Sequence, residues 1–142
     1  MNRQFVISVV VLFIVAMGLS FVVHGVILAE DYAKVVPNAY RTAKDAEAHF
    51  PYMIVAHVLI AIGVTWVYRQ GRDASPWLGQ GVRFGLALVV MVTIPNYLIY
   101  FAVEQLPGEL VAKQVALVAI AMVVIGIVAA ALNRLPAAAR GA

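Results

Sequence analysis

Residues 5–29 read FVISVVVLFIVAMGLSFVVHGVILA, a stretch without a single Asp, Glu, Lys or Arg. The hydrocarbon core of a bilayer is roughly 30 Å thick, so a helix that crosses it needs about 20 apolar residues at about 1.5 Å each. Three further apolar stretches follow, at residues 51–69, 76–104 and 107–133. Because all four stretches are near or above that length, the sequence predicts four transmembrane helices.

The composition supports a membrane protein. Of the 142 residues, 64% are hydrophobic and 12% are charged, whereas a soluble domain carries about 25% charged residues. Backbone polar groups must be paired in lipid, and the chain lacks the alternation of barrel strands, so we expect an all-α fold. The short connections predict a four-helix antiparallel bundle, with residues 1–142 as one integral membrane domain.

Charged residues fall into two groups of helix flanks. One group is almost purely basic and has a single acid, Asp73, beside Arg3, Arg69, Arg72, Arg83, Arg134 and Arg140. The other group mixes Lys34, Arg41, Lys44 and Lys113 with most of the acidic residues. Because cytoplasmic loops are enriched in Lys and Arg, we expect both termini to be cytoplasmic. The basic residues form no contiguous patch, so no nucleic-acid partner is expected.

Prolines and capping residues indicate where the helices begin and end. Thr42 and Asp45 have the spacing of an N-terminal cap. Pro51 then either opens the second helix or kinks a helix that started earlier. Three other signals are a turn at Pro37-Asn38, an N-cap and first helical residue at Ser75-Pro76, and a helix end at Pro136.

Two histidines lie inside the apolar stretches and are the main candidates for chemistry. In antiparallel helices, His24 and His57 would lie at similar depth, about 7–9 Å inside the helix ends. Two neutral imidazoles could bind a haem b iron axially or share a metal ion with a nearby carboxylate. Alternatively, His24, His57, Asn96 and Tyr100 hydrogen-bond to one another and only orient the helices. We favour this structural interpretation, in which no cofactor binds.

A second polar group lies on the third helix. Thr93, Asn96 and Tyr100 share a face by their spacing, and Ser20 shares the face of His24. Polar residues inside a membrane span usually face the bundle interior. The candidate ligand pocket therefore consists of Ser20, Thr93, Asn96, Tyr97 and Tyr100. Pro95 removes one helical N–H beside this group, and we interpret it as a simple bend.

Small residues indicate where helices pack closely. Gly81 and Gly85 have the four-residue spacing typical of close helix contacts, although they lie near the end of a span. The fourth helix offers a packing surface of small residues, namely Ala112, Ala116, Ala119 and Gly126.

Several classes of activity have no support in the sequence. The chain has no cysteine, which excludes disulfide exchange and sulfur-ligated metal clusters. No Asp or Glu lies deep in a span, which argues against proton-coupled export of cations. The acidic loop at residues 30–50 matches no metal-binding motif. We therefore assign no catalytic residue and no metal site.

Four segments carry a resemblance to a known group of proteins. They are HGVILAEDYA (24–33), HFPYMIVAHVLIAIG (49–63), GQGVRFGLAL (79–88) and IPNYLIYFAVEQLPG (94–108). These segments resemble those of small, uncharacterised four-helix integral membrane proteins of bacteria. The resemblance implies a multi-pass protein of the bacterial inner membrane, and it transfers no activity and no site residue.

Three functions are compatible with these features. The favoured one is a non-enzymatic accessory or scaffolding subunit of a larger membrane complex, or a homo-oligomer, whose partners are the lipid bilayer and other membrane subunits or itself. The second is a haem- or metal-binding redox protein that uses His24 and His57. The third is a small-molecule binder or transporter with a pocket at Asn96, Tyr97 and Tyr100.

Overall fold

The computed structural model describes residues 2–35 and 40–135, and within these ranges it contains helices and no strand. The α-helices are Arg3–Ser20, Ala29–Ala33, Ala43–Gly71, Trp77–Leu88, Ile94–Val103 and Gly108–Leu132. Two π-helical segments, Phe21–Ile27 and Val89–Thr93, lie between them. The predicted turn at Pro37-Asn38 and the predicted helix end at Pro136 lie outside the described residues.

Within the described residues, four continuous helical stretches are long and apolar enough to cross a membrane. We refer to them as span 1 (Arg3–Ile27), span 2 (Ala43–Gly71), span 3 (Trp77–Val103) and span 4 (Gly108–Leu132). The two π-helical segments are parts of spans 1 and 3. The prediction of an all-helical protein with four helices long and apolar enough to cross a membrane is thereby confirmed for the described residues.

Span 2 begins at Ala43, well before the predicted boundary at Pro51. Thr42 is its N-cap, and the Thr42 hydroxyl oxygen accepts a hydrogen bond from the backbone N–H of Asp45 at 3.4 Å. Capping of this kind satisfies one of the free N–H groups of the first turn. Pro51 therefore lies inside a helix that started earlier, which is the second of the two alternatives.

Span 3 begins one residue later than predicted, at Trp77, with Pro76 as the N-cap. The Ser75 hydroxyl donates to the Asp73 carboxylate instead of capping the helix. The backbone N–H of Ser75 donates to the same carboxylate, and together these bonds hold the pKa of Asp73 below its usual value. The Gln80 side chain donates to the Ser75 carbonyl at 2.6 Å and so attaches this loop to span 3.

The helix ends that carry the basic residues contact one another at one end of the bundle. The participants are Gln4 with the Leu132 carbonyl, Arg72 with the Asn133 carbonyl, Arg69 over the Phe5 ring and Arg134 over the Trp77 ring. The main apolar core adjoins this end and is built from Leu12, Ala16, Ala61, Val64, Tyr68, Ile125, Ala129 and Ala130. Spans 1, 2 and 4 therefore share one core.

A second, smaller apolar cluster lies where span 1 ends and span 4 begins. Its buried members are Val23, Leu28 and Leu110. Tyr32 and Tyr40 pack against it from the connection between spans 1 and 2. This cluster supports the polar residues described next.

Candidate functional site

His24 lies in the centre of the π-helical segment Phe21–Ile27. In this segment the Leu28 N–H reaches the Val23 carbonyl, five residues back, at 2.9 Å. Short π-helical segments inside α-helices are frequent at functional sites. After the segment the chain turns into the short helix Ala29–Ala33, which brings Tyr32 back to His24.

Four side chains form a hydrogen-bonded group that we call the tyrosine cluster: His24, Tyr32, Tyr40 and Gln114. The His24 Nδ1 is 2.5 Å from the Tyr32 hydroxyl oxygen. The buried Gln114 amide donates to Tyr32 at 3.0 Å and to Tyr40 at 3.1 Å. Burial raises the pKa of the Tyr32 phenol, which therefore keeps its proton at neutral pH.

The contact between Tyr32 and His24 is compatible with either neutral tautomer of His24, because the Tyr32 hydroxyl can donate to Nδ1 or accept from it. The Tyr32 oxygen accepts the Gln114 N–H, so its own hydrogen is free to donate to the Nδ1 of His24. A neutral imidazole that accepts at Nδ1 carries its hydrogen on Nε2. In that arrangement the Nε2 of His24 is a hydrogen-bond donor.

Beside the tyrosine cluster, an ion pair joins span 4 to the connection between spans 1 and 2. Lys113 contacts the Asp31 carboxylate at 3.1 Å and the Glu109 carboxylate at 2.9 Å. The Lys113 ammonium holds the pKa of Asp31 below its usual value. Since Asp31 and Lys113 are the chain neighbours of Tyr32 and Gln114, the ion pair reinforces the contact between span 4 and the loop.

His24 and His57 line one cavity of ≈ 120 Å³ between spans 1, 2 and 4, which we call the histidine cavity. Ser20 is its third polar residue, and its apolar lining consists of Ala16, Leu19, Val23, Ile60, Val118, Ala121, Met122 and Ile125. The His57 Nδ1 donates to the Met53 carbonyl at 2.8 Å. In neutral His57 the Nε2 is therefore an acceptor.

The structure places three of the predicted site residues on one cavity, and the other four are not among the residues that line it. Ser20, His24 and His57 share the histidine cavity. Asn96 and Tyr100 are exposed on span 3, and Tyr97 is half-buried. The second part of span 3 packs mainly against span 4 rather than spans 1 and 2.

The hydrogen-bonded group of two histidines with Asn96 and Tyr100 that we considered is not formed. His24 bonds to Tyr32 and His57 to the Met53 carbonyl. The physical reason is the position of span 4, against which residues 94–103 pack.

Thr93 and Pro95 lie at the second π-helical segment, Val89–Thr93. Proline has no N–H and its ring clashes with the carbonyl four residues before it, so a widened turn preceding Pro95 accommodates both effects. Thr93 is 3% exposed, and its hydroxyl has no partner in the described part of the chain. Span 3 is therefore irregular at the residues that we had assigned to a ligand pocket.

Residues 7–130 match a family model described as "Protein of unknown function (DUF1761)". The chain belongs to the DUF1761 family. No curated protein and no solved structure matches it. The region shared with DUF1761 runs from span 1 to span 4 and contains His24, His57, Tyr32 and Gln114. The expected resemblance to uncharacterised proteins is thereby confirmed.

Three members of the tyrosine cluster in this DUF1761 protein were missed in the sequence: Tyr32, Tyr40 and Gln114. Gln114 could have been predicted, because an amide within an apolar stretch is expected to face a partner. Tyr32 and Tyr40 could not have been predicted. Both belong to the polar connection between spans 1 and 2, and tyrosines are common at membrane interfaces.

Proposed function

We propose that this DUF1761 protein is a non-enzymatic accessory or scaffolding subunit of a larger complex in the bacterial inner membrane, or a homo-oligomer. The observation that carries the proposal is the exposure of Asn96 on span 3. Asn96 lies about 10 Å inside the end of span 3 at about 1.5 Å per residue. An unpaired polar group in hydrocarbon costs several kcal/mol, so a partner that bonds to this amide would stabilise the protein in the membrane.

The surroundings of Asn96 have the character of a helix-packing face. Ile99, Tyr100 and Val103 follow at the three-, four- and seven-residue spacing of one helix face, and all three are exposed. Within Ile94–Val103 no residue is buried. A neighbouring helix with its own hydrogen-bonding side chain would cover this face, which we call the Asn96 face (Asn96, Ile99, Tyr100 and Val103).

The test is the mass of the detergent-solubilised full chain, measured by light scattering or native mass spectrometry. We expect a particle larger than the 15.3 kDa monomer, either with copies of itself or with a companion protein at fixed stoichiometry. Asn96→Leu should release the monomer, because it removes the amide at similar size. Gln70→Leu is the matched control, since it removes an exposed amide outside the Asn96 face. A monomeric wild type without a companion would contradict the proposal.

The antiparallel arrangement and the cytoplasmic location of both termini belong to the same proposal. Their support is the meeting of the basic flanks at one end of the bundle, together with the enrichment of cytoplasmic loops in Lys and Arg. A fluorescent protein fused to the C-terminus should therefore fold and fluoresce. Alkaline phosphatase inserted at residue 40 should be active, because this enzyme is active only outside the cytoplasm and the proposal places residue 40 on that side of the membrane.

A redox function with haem b or a metal ion at His24 and His57 is the second candidate. Its support is that both imidazoles line one cavity, whose volume of ≈ 120 Å³ is small for a porphyrin. An absorption spectrum of the purified protein tests it. A Soret band that disappears in His57→Ala would support haem at this pair. The third candidate, a transporter or binder with a pocket at Asn96, Tyr97 and Tyr100, is less well supported, because Asn96 and Tyr100 lie on an exposed face.

A further inference from the structure

We infer that the histidine cavity binds the ring of a lipid-soluble quinol between His24 and His57, and the corresponding quinone through His24 alone. The inference does not depend on the proposed function, since a subunit of any complex could carry such a site. Three properties of the cavity support it: its size, its apolar lining and the complementary hydrogen bonding of the two imidazoles.

The size of the cavity suits one six-membered ring. An apolar cavity of about 150 Å³ in another protein is known to hold benzene, and the histidine cavity measures ≈ 120 Å³. This volume favours a single ring over a porphyrin. The cavity is not fully enclosed, and Ile60 at its edge is 38% exposed. An apolar tail on the ring could therefore extend towards the lipid.

The two imidazoles offer opposite hydrogen-bonding groups. His24 presents an Nε2–H donor in the tautomer whose Nδ1 accepts from Tyr32. His57 presents an Nε2 acceptor, because its Nδ1 donates to the Met53 carbonyl. A quinone carbonyl can accept from His24, and a quinol hydroxyl can donate to His57. A quinol, which donates and accepts, finds two partners, whereas a quinone or a carboxylate, which only accepts, finds one.

Tyr32 acts as a positioning residue for this recognition. Its hydroxyl lies 2.5 Å from the His24 Nδ1, and donation to that nitrogen selects the tautomer that carries its hydrogen on Nε2. Tyr32 is not part of the cavity lining. Tyr32→Phe should therefore weaken quinone binding without a change in the volume of the cavity.

The test is calorimetric titration of the purified full chain in lipid nanodiscs. The probes are a decyl-substituted benzoquinone, its quinol, and toluene as a ring without oxygen. We expect one benzoquinone or quinol per chain and weaker binding of toluene. His24→Phe should weaken the binding of both benzoquinone and quinol about tenfold, as expected for the loss of one hydrogen bond in an apolar site. His57→Phe should weaken quinol binding by a similar factor and leave benzoquinone binding almost unchanged.

His49→Phe is the matched control. The His49 Nδ1 contacts the Asp45 carbonyl at 2.8 Å, the same local geometry as in His57, and His49 lies outside the cavity lining. The affinity of the His49→Phe variant for the quinone and the quinol should equal that of the wild type. Ala121→Val provides a second variant that narrows the cavity and leaves both imidazoles in place, and it should also lose binding.

Three results would overturn the inference. The first is a wild type that binds neither the benzoquinone nor the quinol. The second is equal binding of toluene and quinol that neither His24→Phe nor His57→Phe changes, since the imidazoles would then play no part. The third is displacement of the quinol by equimolar oleic acid, because a carboxylate ligand would then be preferred.

Discussion

Gly85 and Gly126 lie backbone against backbone where spans 3 and 4 meet. A Cβ atom placed on Gly126 would come within 2.6 Å of the Gly85 nitrogen, and one placed on Gly85 within 2.6 Å of the Val123 Cα. Gly81 contacts the same part of span 4, where a Cβ would lie 2.7 Å from the Ile127 Cα. The four-residue spacing of Gly81 and Gly85 thus forms a close helix contact inside the bundle. Span 4 also lines the histidine cavity, so this contact helps to hold one of its walls.

Gly126→Ala should lower the free energy of unfolding by about 1–3 kcal/mol, the usual cost of overpacking a well-packed site. Intrinsic helix propensity has the opposite sign, because alanine is favoured over glycine by about 0.8–1.0 kcal/mol. Reversible unfolding in mixed micelles with increasing SDS would measure the difference. Gly63→Ala is the control, since a Cβ at Gly63 has no atom within 4 Å. If Gly126→Ala were as stable as Gly63→Ala, the close contact between spans 3 and 4 at Gly126 would be contradicted.

Tyr32→Phe should lower the free energy of unfolding by about 1–3 kcal/mol, the cost of leaving buried polar groups without partners. It removes one partner from His24 and one from Gln114. Tyr40→Phe should cost less, because it affects Gln114 alone. Unfolding of both single variants and the double variant would give the coupling between the two tyrosines. Tyr52→Phe, at a position 74% exposed, should have no effect. Equal effects of Tyr32→Phe and Tyr52→Phe would contradict the tyrosine cluster.

The four spans could be predicted from the sequence because their deciding property is local. Uninterrupted hydrophobicity over about 20 residues is visible without any knowledge of packing. The beginning of span 2 could not be predicted in this way. The residues between Ala43 and Pro51 are mostly polar and exposed, so the apolar pattern starts later than the helix itself. Thr42 was the informative residue, since a cap marks the first turn whatever its hydropathy.

The candidate site was predictable only in part. Depth in the bilayer placed His24 and His57 near each other, and the structure has both in one cavity. Their hydrogen-bond partners depend on longer-range geometry. Tyr32 reaches His24 only because the π-helical segment Phe21–Ile27 and the short helix after it turn the chain back. Hydropathy and spacing contain no information on such a turn.

Asp31→Asn should remove a stabilising contribution at neutral pH and leave acid stability almost unchanged. The folded pKa of Asp31 lies below its ordinary value of 3.8, chiefly because of the hydrogen bond with Lys113. A lowered carboxyl pKa stabilises the fold above the unfolded pKa, and this contribution is lost as the pH falls through the folded value. Thermal unfolding at pH 7 and at pH 3 and below would measure it.

Glu47→Gln serves as the control for Asp31→Asn, because Glu47 is an exposed carboxylate on span 2 and the described ion pairs of Lys113 are with Asp31 and Glu109. It should leave the stability at pH 7 unchanged. A difference between wild type and Asp31→Asn that persisted undiminished at the lowest pH would argue against the ion pair as its cause.

Asn133 is completely buried where span 4 ends, and Asn133→Leu should lower the free energy of unfolding by about 1–3 kcal/mol. Its amide donates to the Ala129 carbonyl at 2.9 Å, and its side-chain oxygen accepts from the Ser8 hydroxyl at 3.3 Å. Ser8→Ala should cost less, because the Ser8 hydroxyl also lies 2.9 Å from the Gln4 carbonyl within its own helix. SDS-induced unfolding of both variants and their combination would give the coupling energy. Additive effects would mean that the contact between spans 1 and 4 through these side chains does not contribute to stability.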